Sequence, residues 1–262
     1  MKFRRKYLAI PYVVFLFLFI IFPIFVIIFY AFTDSSNHFS LDQVINFFTD
    51  SSKIMVLVVS VFFAILNTAI CLLIGYPIAY FLARKDYNKN TVLFFLFIMP
   101  MWINFVLRTS ATRDLLFLIG LDGGHYPYLA TTIGLVYNYL PFVILPLYST
   151  MIKLDNSQME AAADLGCNKM QVFFKSVIPQ TMPGIVSAII MTFMPTMTTY
   201  VISDTLSERN IVLLGSSIAS AFDNNNWNSG SFLAMIMLII VFISMIVTNR
   251  FTKKSEVSES IW

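Results

Sequence analysis

The stretch Lys153-Leu-Asp-Asn-Ser-Gln-Met-Glu160-Ala161-Ala162-Ala163-Asp164-Leu165-Gly166, running on to Ile178-Pro179, is a polar island between two long apolar runs. Ser157 and Glu160 stand in the S-x-x-E spacing of a capping box, in which two orphan N–H groups are satisfied reciprocally, so a helix is expected to start near Gln158. Gly166 can take a positive φ and end it. Val172, Phe173 and Phe174 give the next segment an apolar patch, and Pro179 is expected to close it before the following run. The predicted form is helix, glycine turn, helix. At about thirty residues the loop is longer than a simple connection needs.

Outward from this loop the chain is apolar. Hydrophobic residues make up 58% of the 262 and charged residues 12%, with a mean hydropathy of +0.78. A soluble domain carries about a quarter charged residues. A bilayer-crossing helix needs ~20 mostly apolar residues. Runs that fit are 7–32, 54–83, 91–107, 128–151, 182–202 and 232–249. Backbone groups in lipid must be paired within the segment, so these read as helices and the fold class is an all-α membrane protein with six spans. The first run is too long for the core of a signal peptide, no small-residue cleavage site follows it cleanly, and it is read as retained.

The charges orient the bundle. Thirteen of the seventeen Lys and Arg fall on the side that holds the loop and both termini, among them Lys2, Arg4, Arg5, Lys6, Arg84, Lys85, Lys89, Lys153, Lys169 and Lys175. Basic residues stay cytoplasmic, so both termini and the loop are expected inside a prokaryotic plasma membrane. Acidic residues divide the other way. Eight lie in outer loops, among them Asp122, Asp204, Glu208 and Asp223, against six inside. The outer face is thus net −4 and the inner net +7, which together make the chain's +3. That total is too small to point to nucleic acid.

Other chemistry is thin. Cys71 and Cys167 are separate, without CxxC spacing, and read as reduced thiols. His38 and His125 stand alone in predicted loops, so no metal site is expected. No paired intramembrane carboxylates or nucleophile–base spacing suggest a catalyst. None of the nine glycines forms G-x-x-x-x-G-K-[ST], so ATP would have to be handled by another chain.

The loop resembles the EAA loop of permeases from ATP-driven ABC importers, written E-A-A-x3-G-x9-I-x-L-P. Glu160, Ala161, Ala162, Gly166 and Pro179 match in position, while Ser176 replaces the usual Ile and Ile178 the usual Leu. The resemblance implies a type I permease core over 54–250, preceded by a first helix and outer loop over 1–53 and followed by a cytoplasmic tail over 251–262. It implies that the loop is a coupling helix docking on the ATPase. Partners would be a second homologous permease, two copies of an ABC ATPase and an extracytoplasmic binding protein. No cofactor would be held by this chain itself.

Further stretches resemble the polyamine permeases of the PotB type: Met99-Pro-Met-Trp-Ile-Asn-Phe-Val-Leu-Arg108, Gly134 to Tyr148, Lys153-Leu-Asp155, Thr181-Met-Pro-Gly-Ile185 and Tyr200-Val-Ile-Ser-Asp204. The resemblance implies a spermidine/putrescine cargo and an outer partner that binds polyamines. Independently, an acidic outer face would concentrate a polycation. Trp102, Asn104, Tyr137, Tyr139, Tyr200 and Asp204 are the candidate path residues, near Pro100, Pro141 and Pro195, which are expected to break their spans. Aromatic faces hold ammonium groups, and Asp204 could pair with one. Trp102 fits an interfacial belt equally well, and Asp204 a solvated loop charge. Arg108, Arg113 and Asp114 are expected to pair with one another at the outer interface, and Thr192, Thr196, Thr198 and Thr199 to join helices. A permease for another solute, or a channel or scaffold without ATPase, remains the rival reading.

Overall fold

The computed structural model describes residues 10–34, 36, 38–84 and 92–259. Lys2, Arg4, Arg5, Lys6, Lys85 and Lys89 lie outside the described residues, as do Tyr7 and Thr91, the expected starts of the first and third runs. Among the described residues the chain is helical, apart from one isolated bridge between Thr33 and Phe39.

Four helices are long and apolar enough to cross a bilayer alone: Pro11–Ala31, Ser51–Ala83, Pro127–Met151 and Trp227–Thr248. Two bent pairs pass the same test, Val92–Trp102 with Phe105–Leu118 at 98° and Lys169–Gln180 with Met182–Thr198 at 65°. Counting each pair once gives six, called here span one to span six in chain order. Spans two, four and five form the centre. Cys71, Ala79 and Leu82 of span two pack with Val143, Ile144, Leu147 and Met151 of span four and Ala188 of span five. Asn67, 1% exposed, donates to Thr196 Oγ1 at 2.8 Å, and Thr196 donates to Thr192 O. Such interhelical bonds are worth about 1 kcal/mol in a bilayer.

Span one stands at the edge, burying only Ala31. It is held to span six where Asn228 Nδ2 donates to Thr33 O at 2.6 Å and Tyr30 O at 3.1 Å. Span two starts earlier than the apolar run, at Ser51, because Asp50 Oδ1 accepts from Ser52 N at 2.9 Å and caps it.

Of the three prolines expected to break spans, only Pro100 does. It lies in the 3₁₀ turn Met99–Trp102; Ile103 and Asn104 are then non-helical and Asn104 Oδ1 accepts from Val106 N to start the next helix. The third span therefore does not run straight to Leu107. Pro141 and Pro195 sit inside continuous helices. Span five stops at Thr198, short of the expected Ile202, where Thr199 turns extended and its N–H bonds Pro195 O. The short helix Val201–Leu206 follows.

A further helix, Leu214–Asp223, closes the end of the bundle remote from the 153–179 loop. Leu214 N donates to Ser60 Oγ at 2.7 Å. Gly215 lies so close to span five that a Cβ there would be 2.6 Å from Thr198 O and 3.2 Å from Thr199 O, backbone atoms that cannot swing aside. Gly215→Ala is expected to cost roughly 1–3 kcal/mol by overpacking. A lowered thermal midpoint of the detergent-solubilised protein, with the exposed Ser220→Ala as control, is the measurement.

Candidate functional site

The loop helix is Asn156–Asp164. Its N-cap is Asp155, whose Oδ1 accepts from Ser157 N at 2.9 Å. The expected Ser157–Glu160 box does not form, because Asp155 already takes the N-terminal donor and puts Ser157 inside the helix. A carboxylate also meets the positive end of the helix dipole there. The Ser157 backbone N–H, followed by its hydroxyl, holds the Asp155 carboxyl below the ordinary range. A capping box does exist one turn after Gly166: Asn168 Oδ1 accepts from Gln171 N at 2.8 Å and Gln171 Oε1 accepts from Asn168 N at 2.9 Å.

Gly166 ends the loop helix as expected, at φ 83°. Its N–H bonds Ala163 O and Cys167 N bonds Ala162 O, the paired pattern of a Schellman turn. Pro179 does not close the second segment. Helix continues from Lys169 through a π turn at Phe173–Val177 and the short Ile178–Gln180, and the chain bends only at Thr181. Pro179 fits at the start of a turn, where its missing N–H costs little.

Glu160 and Ala161 are exposed and Ala162 is half-buried, whereas Met159 turns inward. Leu165 is 86% exposed, and Met170 and Phe174 are also bare. Three apolar side chains beside Glu160 and Asp164 make a surface suited to a protein partner. Leu165 and Met170 were not singled out from sequence; their place just past a glycine-ended helix was the available signal.

At the far end five of the six candidate path residues divide between two pockets, and Tyr137 lines neither. Trp102, Asn104 and Tyr139 line a cavity of about 340 Å³ with Arg108, Asn138 and Phe142. Arg108 is 7% exposed. Its Nε donates to Asn138 Oδ1 at 2.8 Å, Nη2 to Asn138 O at 3.4 Å and Nη1 to Pro100 O. Its guanidinium lies 5.6 Å from the centre of the Tyr137 ring. Arg108 therefore does not join Arg113 and Asp114. Those two pair alone, at 2.9 Å and with both side chains about half exposed or more. Arg108 is held inward by the Asn138 side chain and by Pro100 O, which at the break also accepts from Ile103 N. Asn138, 1% exposed, escaped notice because an Asn in an apolar run has no spacing signature.

Tyr200 and Asp204 line the second cavity, of about 780 Å³, with Lys53, Arg209, Ser216 and Asp223. That size suits a small-molecule site. Asp204 Oδ1 accepts from Ser216 Oγ at 2.6 Å. The adjoining turn is strained, with Glu208 at φ 51° and Arg209 at φ 64°. Asn210 Nδ2 secures it by donating to Gly123 O at 3.2 Å. Nor does His125 stand alone: its Nδ1 is 3.0 Å from Asp122, and that side-chain bond is the main reason the Asp122 carboxyl lies below the ordinary range.

Residues 72–256 match the family described as binding-protein-dependent transport system inner membrane component. The chain is 36% identical over 208 residues to the spermidine/putrescine transport system permease protein PotB of Haemophilus influenzae, covering 72% of this chain and 73% of that one. Against the protein of the same name from Escherichia coli K12 the identity is 35% over 210 residues, 74% of this chain and 76% of the relative. Its fold is similar to a chain of a bacterial alginate ABC transporter solved with an alginate-bound periplasmic protein, with TM-score 0.72 at 11% identity over 95% of this chain and 93% of the other.

Replacing Asn138 with Leu takes the Oδ1 acceptor from the buried Arg108, leaving its Nε unpaired, and is expected to cost about 1.5–3 kcal/mol, read as a lowered unfolding midpoint in detergent. Arg108→Lys is expected not to keep stability, since a single ammonium cannot reach Pro100 O and Asn138 Oδ1 in the same fork.

Proposed function

The chain belongs to the family of binding-protein-dependent transport system inner membrane components, and on that premise we propose that this multi-pass permease subunit of an ABC importer carries polyamines of the spermidine/putrescine class inward. The observation that carries the cargo is the identity of 35–36% to permeases named for spermidine and putrescine, spread over about three quarters of each chain. The Tyr200–Asp204 cavity supports it. It offers a carboxylate beside an exposed aromatic ring, the pair of groups a desolvated ammonium prefers.

The end of the bundle that holds the 153–179 loop faces the cytoplasm, on the positive-inside bias of the chain. Glu160, Ala161, Ala162 and Gly166, with the exposed Leu165, form the surface that docks on an ATPase subunit, and Pro179 lies in the arm behind it. Two ATPase copies hydrolyse ATP in trans; a second homologous permease completes the path; an extracytoplasmic polyamine-binding protein delivers cargo to the far end. Closing of the ATPase pair moves the loop helix and opens the spans outward, and hydrolysis resets them. Cargo meets Tyr200 and Asp204 first. The pocket of Trp102, Asn104 and Tyr139 lies further along the path, with Tyr137 behind Arg108.

Labelled spermidine uptake in cells lacking the gene, complemented with variants, tests this. Wild type is expected to restore uptake, and Asp204→Ala to lower it about tenfold, the worth of one 1.4 kcal/mol contact. Gly166→Pro is expected to leave membrane insertion intact and abolish uptake. Failure of wild type to restore uptake with its partners present refutes the cargo; normal uptake by Gly166→Pro refutes the docking role.

A further inference from the structure

Span two is one helix of 33 residues, Ser51–Ala83, about 50 Å long at 1.5 Å per residue. Its two ends lie at the two sites described above. Ser52, Lys53 and Val56 line the cavity that holds Asp204. At the other end Tyr76, Tyr80 and Arg84 follow one another at four-residue spacing, which places them on one side of the helix and its cap.

Between them the three touch Met159 and Phe173 of the loop and Thr181 at the bend behind it. Tyr76 OH is 2.8 Å from Thr181 Oγ1, and Thr181 is the fully buried residue at which span five bends by 65°. The rings of Tyr76 and Tyr80 meet Phe173, in the π turn, edge to face at 5.7 Å and 5.6 Å. Arg84 Nη2 donates to Tyr80 OH at 2.9 Å and to Met159 Sδ at 3.1 Å, and its guanidinium is 5.1 Å from the Tyr80 ring centre. Met159 is the inward face of the loop helix whose outward face carries Glu160 and Ala161.

The chain alone ties the loop only to spans four and five, through a glycine turn at Gly166 and a bend at Thr181. A helix held by two such joints can be displaced without moving span two. These three side chains remove that freedom, and they bracket Pro77, where span two lacks a backbone hydrogen bond and is weakest. Resting on the docking role given above, we propose that Tyr76, Tyr80 and Arg84 form a strut that delivers movement of the loop helix to span two, and along that span to the cavity at its far end. They are positioning residues and touch no cargo.

The test uses the whole complex of both permeases, ATPase and binding protein, reconstituted in vesicles, with spermidine uptake and ATP hydrolysis measured together. Arg84→Ala and Tyr80→Leu are expected to keep hydrolysis at the wild-type level while uptake per ATP falls about tenfold, within the usual range of intersite coupling. Tyr76→Phe keeps the ring against Phe173 and loses only the bond to Thr181, so it isolates the rung at the bend without emptying the core; a smaller fall in the same ratio is expected. An unchanged ratio in all three variants overturns the strut and leaves the importer reading standing. A parallel fall of uptake and hydrolysis also overturns it, since that marks a role in assembly alone. No uptake by the wild-type complex overturns the cargo reading and the strut with it.

Discussion

A carbonyl freed from its helical partner inside a bilayer has no water to turn to, and the places where this chain interrupts its helices are where its polar side chains gather. At Pro100 the helix stops; Arg108 Nη1 and Ile103 N supply the missing donors. At the bend after Gln180, Thr181 Oγ1 donates to Val177 O at 3.0 Å and Ile178 O at 3.1 Å. At the end of span five, Thr198 Oγ1 and Tyr139 OH both donate to Pro195 O. Each of these carbonyls also accepts a backbone N–H, from Ile103, Thr181 or Thr199, so the side chain adds a second bond where the helix ends or bends.

Of the Thr residues expected to join helices, Thr196 does so, while Thr198 bonds within its own helix and the Thr192 hydroxyl makes no hydrogen bond among the described residues. Asn67, Thr196 and Cys71 form a short chain across spans two and five, with Cys71 Sγ 3.4 Å from Asn67 Oδ1. Small residues let backbones close up around it. A Cβ on Gly184 would be 2.6 Å from Thr150 Oγ1, which puts spans four and five in near contact. Lipid cannot drive helices together as water does, so close packing and such bonds must do so.

Long periodic features were legible in the sequence and single hydrogen bonds were not. The six apolar runs correspond to four unbroken helices and two bent pairs, because hydrophobic length is a property of many residues together. Gly166 was legible because the left-handed conformation strongly favours glycine. The cap was misplaced by two residues because Asp155 and Ser157 are both good cap residues, and only the entry geometry of the chain separates them. The break at Pro100 was legible from the proline, but the helix that resumes at Phe105 and runs to Leu118 was not, because the run stays apolar on both sides of the break. Arg108 was misassigned for a related reason: by spacing it neighbours Arg113 and Asp114, while the acceptors it needs arise from a backbone break and from Asn138, thirty positions away.

Charge also separates the two pockets at the far end. Two unit charges about 4 Å apart at an effective dielectric near 20 interact by about 4 kcal/mol. Arg108 is a fixed cation with neutral acceptors around it, and its guanidinium already covers one face of Tyr137. An ammonium group entering that pocket would be repelled by it. The larger cavity is mixed: Asp204, bonded to the Ser216 hydroxyl, and Asp223 share its lining with Lys53 and Arg209. A cation in the larger cavity meets carboxylates as well as bases, whereas among the described residues no carboxylate lines the Arg108 pocket. On the proposed reading the same arginine that repairs the broken helix also keeps a polycation from settling there.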